Sequence, residues 1–66
     1  MKIQLNGQSK EVADDTTVAL LLDSLELTGK RVAVEVNEEL VTRSLFDSHM
    51  LKADDQVEIV QAIGGG

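Results

Sequence analysis

Apolar and polar residues alternate from the first positions of the chain. Ile3 and Leu5 interleave with Lys2 and Gln4, the period of two that sets one face of a strand against a core. Asn6-Gly7 follows, and a type I′ turn needs positive φ at both of its central positions, which this pair tolerates. Gln8 to Val12 is therefore predicted to return as a second strand, its thin apolar content suited to a sheet edge. After Asp14-Asp15-Thr16-Thr17 the period changes. Val18, Leu21, Leu22 and Leu25 fall at i, i+3, i+4 and i+7, one stripe of a helix, with Ala19, Asp23 and Glu26 on the other side. Thr17 directly precedes the stripe and is the predicted N-cap, with Asp14 and Asp15 near the positive end of the helix dipole. Leu20 projects away from the stripe and Leu27 is out of phase, so the helix is predicted to end near Leu25 or Glu26. Thr28-Gly29-Lys30-Arg31 makes the exit loop, where basic residues suit a helix C-terminus.

Val32, Val34 and Val36 alternate with Ala33 and Glu35, a third strand rich in β-branched residues. Asn37-Glu38-Glu39 turns the chain, since asparagine accepts the left-handed conformation, and Leu40-Val41 is a very short fourth strand. Thr42 to Leu51 is irregular, with Ser44 placed to cap one helical turn that tucks Leu45, Phe46 or Met50 inward. Ala53-Asp54-Asp55-Gln56 turns again. Val57 and Ile59, and then Ile63, alternate with Glu58; Val60 and Ala62 fall on the Glu58 face. The expected order is hairpin, helix, strand, short strand, helical turn, last strand. That is an α+β domain in which one helix crosses one face of a mixed sheet of about five strands and leaves the other face open. Residues 1–63 form this domain, and 64–66 form a glycine tail.

Composition narrows the function. Twelve acidic residues against six basic give a net charge of −6, a surface that repels phosphate backbones and anionic lipid and favours a basic partner surface. Nucleic-acid and membrane partners are accordingly not expected. The chain has no cysteine, so neither a disulfide nor a thiolate metal site is available, which suits a reducing compartment. No apolar run approaches the ~20 residues of a membrane span, and the first residues enter a strand with no signal-peptide core. The expected location is the cytoplasm.

Side-chain chemistry offers little for catalysis. His49 is the only histidine and has no cysteine or spaced acids around it in sequence, so it reads as an ordinary surface histidine. Asp14/Asp15, Glu38/Glu39 and Asp54/Asp55 all fall in turns and lack the alternating ligand pattern of a calcium loop. Gly64-Gly65-Gly66 is no phosphate loop, since neither helix nor lysine follows. Three glycines gain nothing from burial and carry the highest ordering cost of any residue. They are either an inert frayed end or a slender finger that carries the Gly66 carboxylate into another protein's active site. A Cβ would collide with the walls of a narrow channel, and four extended residues reach roughly 13 to 14 Å beyond the sheet.

Taken together, the hairpin, the Thr17-led helix, Val34-Glu35-Val36-Asn37-Glu38-Glu39-Leu40-Val41 and the closing Asp55-Gln56-Val57-Glu58-Ile59-Val60-Gln61-Ala62-Ile63-Gly64-Gly65-Gly66 resemble the ThiS family. The resemblance spans the whole chain, and Arg43 also fits a position where the family often has arginine. It departs at Leu20, where a capping-box glutamate would help Thr17, and at Thr42, where proline is frequent. The resemblance implies a β-grasp, ubiquitin-like fold and a sulfur carrier of thiazole formation in thiamine biosynthesis, a co-substrate and not an enzyme. It implies adenylation of Gly66 by a ThiF-type enzyme using ATP and magnesium, conversion to a thiocarboxylate, and delivery of sulfur to a ThiG-type thiazole synthase. A cysteine desulfurase is one source for that sulfur, and no tightly bound cofactor is expected on the carrier itself. Gly64 and Gly65 would thread partner active sites, while Val60, Ala62 and Ile63 would contribute to docking. Three other readings remain at this stage: a thiocarboxylate donor like the small subunit of molybdopterin synthase, a ubiquitin-like tag, and a binding module with an incidental tail.

Overall fold

A computed structural model describes residues 1–61. The hairpin is present as β1 (Lys2–Leu5) and β2 (Gln8–Glu11). Asn6 and Gly7 both take positive φ, 49° and 82°, the type I′ geometry that matches the twist of the flanking strands. Helix α1 (Val18–Ser24) begins at Thr17, whose hydroxyl accepts from the Leu20 amide at 3.2 Å. The cap therefore works without the glutamate of a capping box.

The helix ends where the periodicity predicts, and the structure supplies the cause. Leu25 is the C-cap, Glu26 sits at φ 61°, the Glu26 amide donates to the Asp23 carbonyl at 3.0 Å, and the Leu27 amide donates to the Leu22 carbonyl at 2.8 Å. This is a Schellman closure with glutamate where glycine is usual. It folds Leu27 back against the core as a half-buried residue, which is why a leucine out of helical phase is still apolar.

The second half contributes β3 (Val32–Val36), β4 (Glu39–Val41), a 3₁₀ turn (Arg43–Leu45) and β5 (Gln56–Gln61). Five strands form one sheet in the order β2-β1-β5-β3-β4. The β1–β5 pair is parallel, and the other three pairs are antiparallel. The helix covers one face, where Ile3, Val18, Leu21, Val34 and Val57 are almost wholly buried. The Thr42 to Leu51 stretch differs in detail from expectation. Thr42, and not Ser44, occupies the N-cap position, without a side-chain capping bond. Phe46 is half-buried, while Leu45 and Met50 are about half exposed. The anchor is Leu51, at 3% exposure. Its amide donates to the Thr16 carbonyl at 2.8 Å, and a Thr17–Met50 bridge lies beside it, so this segment is fastened to the start of the helix. No helix among the described residues is long and apolar enough to cross a membrane.

Candidate functional site at the open sheet face and the end of the last strand

Strand β5 sets where the final residues of the chain begin their path, and it is held at both ends by asparagines from the two hairpin turns. At its start, the Gln56 amide donates to Asn37 Oδ1 at 2.9 Å, Asn37 Nδ2 donates to Asp55 Oδ1 at 2.9 Å, and the Lys52 amide donates to Asp55 Oδ2 at 2.8 Å. Asp55 is buried, and both of its oxygens are thereby satisfied, as burial of a carboxylate requires. Near the far end, the Ile59 amide donates to Asn6 Oδ1 at 2.9 Å and Asn6 Nδ2 donates to the Ile59 carbonyl at 3.3 Å. The backbone of β1 stops pairing with β5 at Leu5 opposite Val57. The side-chain amide of Asn6 then continues the ladder after the main chain has turned away. On the other flank, β3 pairs with β5 as far as Val32 opposite Gln61. The base from which the last five residues depart is thus fixed on both sides.

The helix-free face is where the sequence places a docking surface. Register sets Ala33 opposite Val60 and Glu35 opposite Glu58, and Leu40 of β4 opposite Glu35. Val60 and Leu40 are each 64% exposed. Val60 occupies this face as expected, with Glu35, Lys2 and Gln4 alongside. Leu40, predicted only as part of a short strand, joins this surface, and the alternation of Leu40 outward with Val41 inward is the signal that marks it. Glu35 and Glu58 stand directly opposite one another, a like-charge cross-strand pair that disfavours the fold. Ala62, Ile63, Gly64, Gly65 and Gly66 lie outside the described residues.

Elsewhere the polar residues serve the fold. The His49 carbonyl accepts from the Val18 amide at 3.0 Å, and its own amide donates to the Leu45 carbonyl at 2.8 Å. One member of each acidic pair takes positive φ in a turn: Asp15 at 67°, Glu38 at 70° and Asp54 at 70°. Among the described residues, no group of three or more His, Asp or Glu is arranged to hold a metal ion.

One helix on one face of a five-stranded mixed sheet, an open opposite face, and a central strand leading into three glycines define a small β-grasp, ubiquitin-like carrier domain. Known proteins agree. The sequence model of the ThiS family matches residues 3–66. The chain superposes on the crystal structure of the thiamine biosynthesis protein ThiS from Geobacter metallireducens with a TM-score of 0.85 at 35% identity, covering 100% of both chains. It is 38% identical to the sulfur carrier protein ThiS of Bacillus subtilis, over 97% of this chain and 98% of that one. It is also 42% identical to a thiazole synthase of Magnetococcus marinus over 100% of this chain, but spans only 20% of that protein's length. The chain belongs to the ThiS family, the sulfur carriers of thiamine biosynthesis.

Proposed function

We propose that the reactive atom is the carboxyl carbon of Gly66. A carboxylate resists nucleophilic attack because it is negatively charged and has no good leaving group. Attack of a carboxylate oxygen on the α-phosphorus of magnesium-bound ATP, with loss of pyrophosphate, gives an acyl-adenylate. A sulfide-level sulfur nucleophile then attacks the carbonyl, AMP leaves, and the terminus becomes a thiocarboxylate. The activation belongs to a ThiF-type enzyme. The sulfur comes from a donor such as a cysteine desulfurase, whose persulfide sulfur is brought to the sulfide level by two electrons from a thiol reductant, and delivery is to a ThiG-type thiazole synthase. All of this takes place in the cytoplasm. The observation that carries the reading is that the family match runs through the glycines to residue 66. Similarity of the same 66 residues to part of a thiazole synthase supports that enzyme as the recipient.

In this reading residues 1–63 are the domain and 64–66 the stalk, with Gly64 and Gly65 narrow enough to pass through a tight channel. Val60, Ala62 and Ile63 contribute the docking contact, joined by Leu40 and Ala33 on the open face. Glu35 and Glu58 would meet basic groups on the partner and fix its orientation. Intact-mass measurement tests the proposal. After incubation with ATP, magnesium, the activating enzyme and a sulfur source, the protein should gain the mass of one sulfur-for-oxygen exchange at its C-terminus. Deletion of Gly66 should abolish that gain; loading that persists without Gly66 would overturn the assignment.

A further inference from the structure

A groove of about 240 Å³ opens on the helix side of the sheet, at the end where β5 leaves the fold. Its floor is apolar, made by Leu22, Leu27, Val32 and Phe46. Lys30 and Arg43 stand on its rim, both exposed, against a single lining acid, Asp47. Neither Lys30 nor Arg43 makes an ion pair among the described residues. The groove is built by features already described. The Schellman closure returns Leu27 to the core, the Ala19 amide donates to the Phe46 carbonyl at 2.9 Å, and Val32 is the residue paired with Gln61. Phe46 is the only aromatic residue of the chain.

Three properties identify the occupant. The volume is below the roughly 300–1,000 Å³ of small-molecule sites, so the groove takes a side chain and not a cofactor. Its cationic rim is a local reversal in a chain of net charge −6, so an acidic group is attracted here and repelled over much of the remaining surface. Its position is the third. Any enzyme that draws in the last residues must approach the end of β5, where Val32 is at once groove wall and strand partner. We infer that the groove docks an acidic segment of the activating enzyme: one large apolar side chain enters between Leu27, Val32 and Phe46, and flanking carboxylates meet Lys30 and Arg43. This rests on the proposed adenylation of Gly66. With the open face held on one side and this groove on the other, the tail is aimed by a two-sided grip.

The test uses the full chain and a ThiF-type enzyme, following ATP-dependent adenylation. The double variant Lys30→Glu/Arg43→Glu should raise KM for the carrier about tenfold at low salt with kcat unchanged, and the gap should close as ionic strength rises. Thermal unfolding should match the parent, since both side chains are exposed. Normal adenylation of the parent with an unchanged KM for the variant overturns the inference alone. Failure of the parent to be adenylated overturns the proposed function, and the inference with it. A further pair lacking Gly64 to Gly66, compared by calorimetric binding to the same enzyme, decides between occupants. The charge reversal should weaken binding there by a similar factor; if its effect disappears, the groove holds the chain's own tail and the inference falls.

Discussion

Asn6 serves two roles, supplying positive φ for the first turn and a donor and acceptor for Ile59. Truncation leaves the Ile59 amide, part-buried in a central strand, without its partner. Asn6→Ala should therefore cost about 1–3 kcal/mol by chemical denaturation. Asn6→Gly keeps the turn and loses only the bonds, so the difference between the two variants separates φ strain from hydrogen bonding. Val60 presents the opposite case. Its side chain is largely exposed on the open face, so Val60→Lys should change stability by no more than about 0.5 kcal/mol. In the same variant, loading by the activating enzyme should slow; unchanged loading would remove Val60 from the docking surface. The turn role of Asn6 is legible in the Asn-Gly pair. Its bonds to Ile59 are not, because they join residues 53 positions apart and no local pattern marks such a partner.

At the scale of elements, hydrophobic period predicts most of what is present. The i, i+3, i+4 spacing locates α1, and alternation locates β1, β3 and β5, because each packs one face on a shared core. Where an apolar residue stands outside a period, the reading falters. Leu51 is a core anchor that no repeat announces, and Leu27 is buried by the helix's closing turn and not by its stripe. That turn also carries a cost. Glu26 adopts the left-handed conformation, unfavourable for a residue with a Cβ by about 1–2 kcal/mol. Glu26→Gly removes that strain but makes the unfolded chain more flexible, so a net gain near 1 kcal/mol is expected, seen as a higher denaturant midpoint. A loss instead would show that the glutamate side chain contributes a contact larger than the strain.

For the molecule as a whole, the sheet's two faces differ in what they optimise. The helix side buries Ile3, Val34 and Val57, whereas the open side places Glu35 opposite Glu58 and leaves Val60 and Leu40 exposed. Glu58→Lys converts the like-charge pair into an attractive one and should stabilise the domain by about 0.5 kcal/mol at low salt, less as salt screens it. If the acids orient a basic partner, the same change should weaken docking, so stability and loading should move in opposite directions. Joint improvement would show that the pair has no role in recognition. The fold class could be read from the order of elements. The groove between Leu27, Val32 and Phe46 could not, because its walls come from three separate segments brought together only by packing.

The parallel pairing of β1 with β5 has a consequence for how the protein is made. Among the described strands β1 is synthesised first and β5 last, yet β5 takes the central place between β1 and β3. Until it arrives, the hairpin and the β3–β4 pair have no strand to join them, Asn6 lacks Ile59 and Asn37 lacks Gln56. A nascent chain interrupted before Gln56 therefore holds two unconnected sheet fragments. Synthesis order thus couples two events: the strand that closes the sheet is also the one that precedes the glycines in sequence, so the sheet cannot close before the segment leading to them has been made.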